Sequence, residues 1–164
     1  MVFRTLKEKS LHYATLSSLP YLVDSMMPYS PESRQYAAEY IRNTYSAMLE
    51  KGATTFWETQ KGAVDFANAG SLCHAWSSLP IYYQGAELLG IRPLEPGFSK
   101  FVVRPYADKW THCADGEVPT PHGIIKVSWN LRENGIYLRV HAPEGTDFVC
   151  ESYPECPVVS AETF

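Results

Sequence analysis

The chain has 164 residues, of which 45% are hydrophobic and 13% aromatic, enough to bury a sizeable core in one domain or two small ones. Fourteen Lys and Arg against 18 Asp and Glu leave a net charge of -4, with the basic residues scattered, which argues against nucleic acid or another polyanion as partner. No apolar run approaches the roughly 20 residues that span a bilayer, and Met1 to Lys7 lacks the apolar segment of a secretory signal, so neither a membrane partner nor a signal peptide is expected.

In chain order, apolar residues first recur at helical spacing, from Leu11 to about Gly90. A first helix is expected over Leu11 to Met26, kinked or divided at Pro20. A second starts at Ser30-Pro31-Glu32, where an N-cap hydroxyl precedes proline at the first helical position and an acid in the first turn. Ala37, Ile41, Met48 and Leu49, with Tyr40 and Tyr45, form its apolar stripe, and Lys51-Gly52 supplies a left-handed stop. After it, the threonines and aromatics of Gly52 to Glu58, GATTFWE, disfavour helix and predict extended chain, with Trp57 packed and Glu58 pointing the other way. A third helix is expected from Ser71 to Gly90, bent at Pro80.

From Phe98 onward apolar residues alternate. Strands are expected at Phe101 to Arg104, around Ile125, Val127 and Trp129, around Ile136, Leu138 and Val140, and at Phe148 to Cys150. Asn134-Gly135 predicts a hairpin turn, and the tail after Pro157 is expected to fray. The change of period near Ile91 to Gly97 divides the chain into residues 1–92 and 93–164.

Few residues ask for chemistry. A carboxylate beside an indole, partly desolvated, tends to a raised pKa and can act as a general base, which makes Glu58 a candidate, although the dipeptide alone fits a strand-end glutamate in solvent. His74 could donate to a substrate hydroxyl or serve as a structural helix-start residue; Trp76 could be a sugar platform or core; Asp65 reads most simply as a solvated loop acid. His12, His112, His122 and His141 show no mutual spacing, and Cys73, Cys113, Cys150 and Cys156 form no CxxC pair, so neither metal nor other cofactor is expected. Cys150 and Cys156 flank Pro154, where a turn could join them, yet free thiols are the expected state.

The ordered run of GATTFWE (residues 52–58), SLCHAWSSLPIYYQGAELLGIRPLEPGF (71–98), VRPY (103–106) and GEVPTPHGIIKVSW (116–129) resembles the carboxy-terminal portion of the α-L-rhamnosidases of glycoside hydrolase family 78, from about Leu11 to Cys150. The resemblance implies an α+β protein in two parts: the last helices of an incomplete (α/α)6 six-hairpin toroid, then a small antiparallel β-sandwich. It implies an inverting glycosidase acting on rhamnose-containing oligosaccharides or glycosides, with Glu58 matching the general base and His74 a histidine that contacts the sugar beside Trp57 and Trp76. Inversion also needs a carboxylic acid about 6.5–9.5 Å from the base, across the ring. The family's general acid lies upstream of the matching segment, and Glu8, Asp24, Glu32, Glu39 and Glu50 read as helix-surface residues, so the isolated chain is expected to be inactive. Its surplus apolar helix faces are expected to need the missing barrel segment or to self-associate. The alternative reading is a non-catalytic carbohydrate-binding or structural module.

Overall fold

A computed structural model describes Glu8 and residues 16–164. Residues 11–15 of the expected first helix, and His12, lie outside them. The chain forms two compact units, Met1–Pro80 and Ile81–Phe164.

In the first unit a 3-10 turn, Leu16–Ser18, leads into helix α1, Leu19–Met26, and helix α2 spans Pro31–Glu50. Pro20 is the second residue of α1, in the first turn, where its missing N–H costs no helical hydrogen bond, so of the two expected effects the proline divides the stretch, starting a helix after the 3-10 turn, and does not kink one. Ser30 is extended, at φ -160 and ψ 160, and its Oγ accepts the Ser33 N–H at 3.1 Å. The Ser33 hydroxyl accepts the Ser30 N–H at 2.9 Å, closing a capping box in which serine stands in for the usual glutamate. Helix α2 stops at Gly52, at φ +84, where the N–H groups of Gly52 and Ala53 return to the carbonyls of Leu49 and Met48.

Leu19, Val23, Met26 and Met27 are buried, as are Ala37, Ala38, Ile41 and Met48 of α2. The link between the helices is tied down by Ser33 Oγ donating to Met26 O at 2.7 Å and Arg34 Nη1 donating to Met27 O at 2.9 Å. Leu49 departs from the expected stripe and is 68% exposed.

The expected helix from Ser71 to Gly90 is replaced by shorter pieces. Residues 71–74 are not helical: the Ser71 N–H and C=O, the Leu72 C=O and the His74 N–H are spent on residues 55–58, which takes them out of any intrahelical ladder. A 3-10 turn covers Ala75–Ser77, an α-helical turn Leu79–Tyr83 and a π-helical turn Gln84–Leu88, closed by the Leu89 N–H on Gln84 O at 2.9 Å. Pro80 again falls in a first turn, so it starts a helix where a bend was expected.

The second unit holds two sheets. Strands β1 (Ile91–Pro93), β2 (Lys100–Val103) and β6 (Asp147–Cys150) make one, in the order β1-β2-β6. Strands β3 (Cys113–Thr120), β4 (Gly123–Arg132), β5 (Gly135–His141) and β7 (Val158–Thr163) make the other, in the order β3-β4-β5-β7. The sheets are sandwich-like but not wholly antiparallel, since β2 with β6 and β5 with β7 pair in parallel.

Residue alternation puts Ile125, Val127 and Trp129 of β4 and Ile136, Leu138 and Val140 of β5 on one buried face, and all three of Phe101, Val102 and Val103 are buried. The Trp129 indole donates to Leu88 O at 2.7 Å, fastening the π turn to this sheet. Leu89 packs so closely over Gly116 that a Cβ there would meet its Cδ1 at 2.7 Å. The hairpin pairs Arg132 with Gly135, so its two turn residues are Glu133 and Asn134, and the expected Asn-Gly turn is shifted by one position. The tail does not fray: residues 158–163 form β7 alongside β5. Cys150 and Cys156 are both free, the first exposed and the second buried.

Candidate active site

Gly52 to Glu58 leaves α2 as irregular chain and runs beside residues 71–74 in the opposite sense. Three backbone-anchored contacts zip the pair: the Thr55 hydroxyl on Leu72 O, the His74 N–H on Phe56 O at 2.7 Å, and the Glu58 N–H on Ser71 O at 2.9 Å. Ser71 also donates its own N–H to Glu58 Oε2 at 3.1 Å, so the carboxylate is held by the residue that its backbone binds. Among the described residues this N–H is the one hydrogen-bond donor to that carboxylate.

Side chains brace the two segments from α2. Tyr45 donates its hydroxyl to Ser77 O at 2.6 Å and meets the Phe56 ring edge-on at 6.0 Å, and burial raises its pKa, so it remains a neutral donor. The Gln60 amide reaches Thr44 Oγ1 at 3.2 Å, and Lys51 Nζ reaches Gln60 O at 2.9 Å. Trp57 is half-buried, and its indole lies on Gly62, where a Cβ would fall 2.6 Å from Cε3.

The sequence-level candidates thus fall in one region. Glu58 and His74 stand on paired segments, both half-buried, and the His74 ring meets Trp76 edge-on at 6.0 Å. Trp76 is 69% exposed, which removes the core reading of that side chain. Its neighbour Ser77 is buried, so the 3-10 turn at 75–77 points one aromatic outward while tucking its serine inside.

Between the paired segments runs a loop, residues 59–70. Asp65 is not a simple solvated acid: the Thr59 hydroxyl and the Phe66 N–H, helped by Lys61, hold its carboxyl below the usual carboxylate range against a smaller effect of desolvation. Its backbone carbonyl accepts the N–H groups of Ala69 and Gly70, each at 3.0 Å. Phe66, Ala67 and Asn68 all have positive φ, an unusual run for residues with side chains. The sequence shows Asp65 on a segment flanked by glycines, Gly62 and Gly70, but carries no signal that marks Ser71 as the donor to Glu58. Among the described residues no cluster of His, Cys, Asp and Glu could hold a metal ion.

A pair of loops on a short helical unit, followed by a two-sheet domain, is an arrangement with known counterparts. The family model for the bacterial alpha-L-rhamnosidase C-terminal domain matches residues 90–150, which covers β1 to β6. An alpha-L-rhamnosidase of Alteromonas sp. (strain LOR) is 32% identical over 102 residues, 58% of this chain and 11% of that protein. The crystal structure of the GH78 family rhamnosidase of Bacillus sp. GL1 superposes with a TM-score of 0.69 at 29% identity, covering 80% of this chain and 14% of that one. The alpha-L-rhamnosidase of Dictyoglumus thermophilum shares the fold, with a TM-score of 0.73 at 21% identity over 82% of this chain and 15% of that one. The chain therefore resembles the C-terminal part of the α-L-rhamnosidases of glycoside hydrolase family 78, as its motifs implied, and spans about a tenth of the length of the curated relatives it matches, 11% in each case.

Proposed function

We propose that this chain is the carboxy-terminal part of an inverting α-L-rhamnosidase that removes terminal α-L-rhamnose from an oligosaccharide or glycoside, with Glu58 as general base. The observation that carries this reading is the pairing of segments 55–58 and 71–74, which sets a half-buried carboxylate and a half-buried imidazole on one support. One carboxylate oxygen is oriented by the Ser71 N–H, and the other is left to accept a proton from water. As water loses that proton, its oxygen attacks the anomeric carbon from the face opposite the leaving oxygen, and a second carboxylic acid protonates the leaving group. His74 and Trp76 line the sugar's approach in this proposal, the first as hydrogen-bond partner of a hydroxyl and the second as an apolar wall, with Trp57 packed beneath. The helices then belong to an (α/α)6 toroid whose remaining hairpins supply the acid, and the 164 residues alone do not turn over substrate.

The test uses a polypeptide that joins this segment to the remaining barrel hairpins and measures release of rhamnose from an aryl α-L-rhamnoside. Glu58→Gln keeps the side-chain volume and removes the base, so turnover is expected to fall by roughly 10²–10⁴-fold with folding retained. Unchanged turnover would remove Glu58 from the mechanism.

A further inference from the structure

The contacts of the 59–70 loop run in one direction, from an acid at its middle to the residue that grips Glu58. Asp65 Oδ1 accepts the Phe66 N–H at 3.0 Å, and Lys61 Nζ stands 3.8 Å from the same oxygen. These contacts fix the orientation of Asp65, whose backbone carbonyl takes the N–H groups of Ala69 and Gly70. Gly70 is thereby pressed onto Gly62, so close that a Cβ at Gly70 would lie 2.1 Å from Gly62 O. Gly62 is itself tied back to Thr59 O at 3.1 Å and carries the Trp57 ring. The next residue after Gly70 is Ser71, whose N–H and C=O both bind Glu58.

We propose that Asp65 is a positioning residue for Glu58: by closing the 59–70 loop onto the Gly62 and Gly70 contact it sets where the Ser71 N–H meets the Glu58 carboxylate. The proposal rests on the reading of Glu58 as general base for its functional meaning. The physical coupling stands in the chain without substrate. An acid four residues after a lysine on an exposed loop would ordinarily be left to solvent, but here its backbone and its carboxylate act on the same turn. Three successive left-handed residues, Phe66 to Asn68, are sterically costly, and Asp65 brackets them by holding the N–H of Phe66 with its side chain and that of Ala69 with its carbonyl.

The experiment is an NMR titration of the full 164-residue chain that follows the Ser71 amide proton. In the parent chain that proton is expected to move with the ionisation of Glu58, a transition identified by its loss in Glu58→Gln. Asp65→Ala is expected to abolish the transition at Ser71 while the Trp129 indole resonance in the second unit stays in place. Asp65→Asn keeps an acceptor for the Phe66 N–H and is expected to restore it. A Ser71 amide that still follows Glu58 in Asp65→Ala overturns the proposal. A second measurement needs no variant: hydrogen exchange at Gly70 and Ser71 is expected to show the same protection, because one opening of the loop frees both, and clearly different protection overturns the coupling. Neither readout involves sugar or turnover, so its failure is distinct from a failure of the general-base reading.

Discussion

Arg92→Ala tests the account of the second unit through the ion pair that Arg92 makes with the buried Glu87. Glu87 is 1% exposed and Arg92 30%, so the carboxylate is in the core while the guanidinium reaches water. Glu87 also accepts the Tyr153 hydroxyl at 3.2 Å, and Arg92 lies 5.7 Å above the Tyr82 ring. Removing the arginine leaves a core carboxylate without its countercharge, a change that costs about 3–5 kcal/mol. Because Arg92 is partly solvated, the lower end applies, about 3 kcal/mol. With a urea slope of about 1–3 kcal/mol per M, the midpoint drops by roughly 1–3 M. Glu87→Gln removes the charge but keeps the volume and an acceptor for Tyr153, and the released guanidinium can turn to solvent, so it is expected to cost clearly less. The assay is urea unfolding followed at the Trp129 indole, which is 1% exposed. Losses under about 1 kcal/mol for Arg92→Ala, the worth of a solvent-exposed pair, would refute the burial argument, as would an equal loss for the two variants.

Two further outcomes follow from local contacts. Ser30→Ala removes half of the capping box on α2 and is expected to cost about 1 kcal/mol, read as a lower melting temperature by helical circular dichroism, with the sheet unit unaffected. Asp65, whose folded pKa lies below its ordinary value of 3.8, stabilises its loop above that value, and the contribution is lost as pH falls through the lower folded value. Exchange protection of the Gly70 amide is therefore expected to fall in acid as pH drops below that ordinary value, with the acid dependence absent in Asp65→Asn.

Much of this architecture was legible in the sequence where local chemistry and burial agree. Ser30-Pro31-Glu32 and Gly52 bracket α2 because capping and a left-handed stop are properties of the residues themselves. The alternation of Ile125, Val127 and Trp129 with Lys126 and Ser128 fixed both the strand and its buried face. The misses have long-range causes. Residues 71–74 are flanked by helical spacing, but their hydrogen bonds go to a segment more than a dozen positions earlier, which no local pattern records. Strand β7 looks like a loose tail until β5 offers it an edge, and the parallel pairings, β2 with β6 and β5 with β7, leave no turn signal. β3 carries Pro119, which an edge strand tolerates because it pairs on one side alone, with β4. At the candidate site, Glu58 and His74 stood out by residue type and motif, whereas Ser71 acts through its backbone and is invisible to residue chemistry.

The proton-accepting role of Glu58 is tested most directly by replacing it with alanine in the joined polypeptide and supplying azide, an anion that attacks carbon without needing a base. Azide is expected to restore consumption of an activated aryl α-L-rhamnoside and to yield rhamnosyl azide of inverted anomeric configuration, since the base is missing and the acid side is intact. Rescue absent at any azide concentration in a folded protein that still binds rhamnose, or a product of retained configuration, would contradict the account.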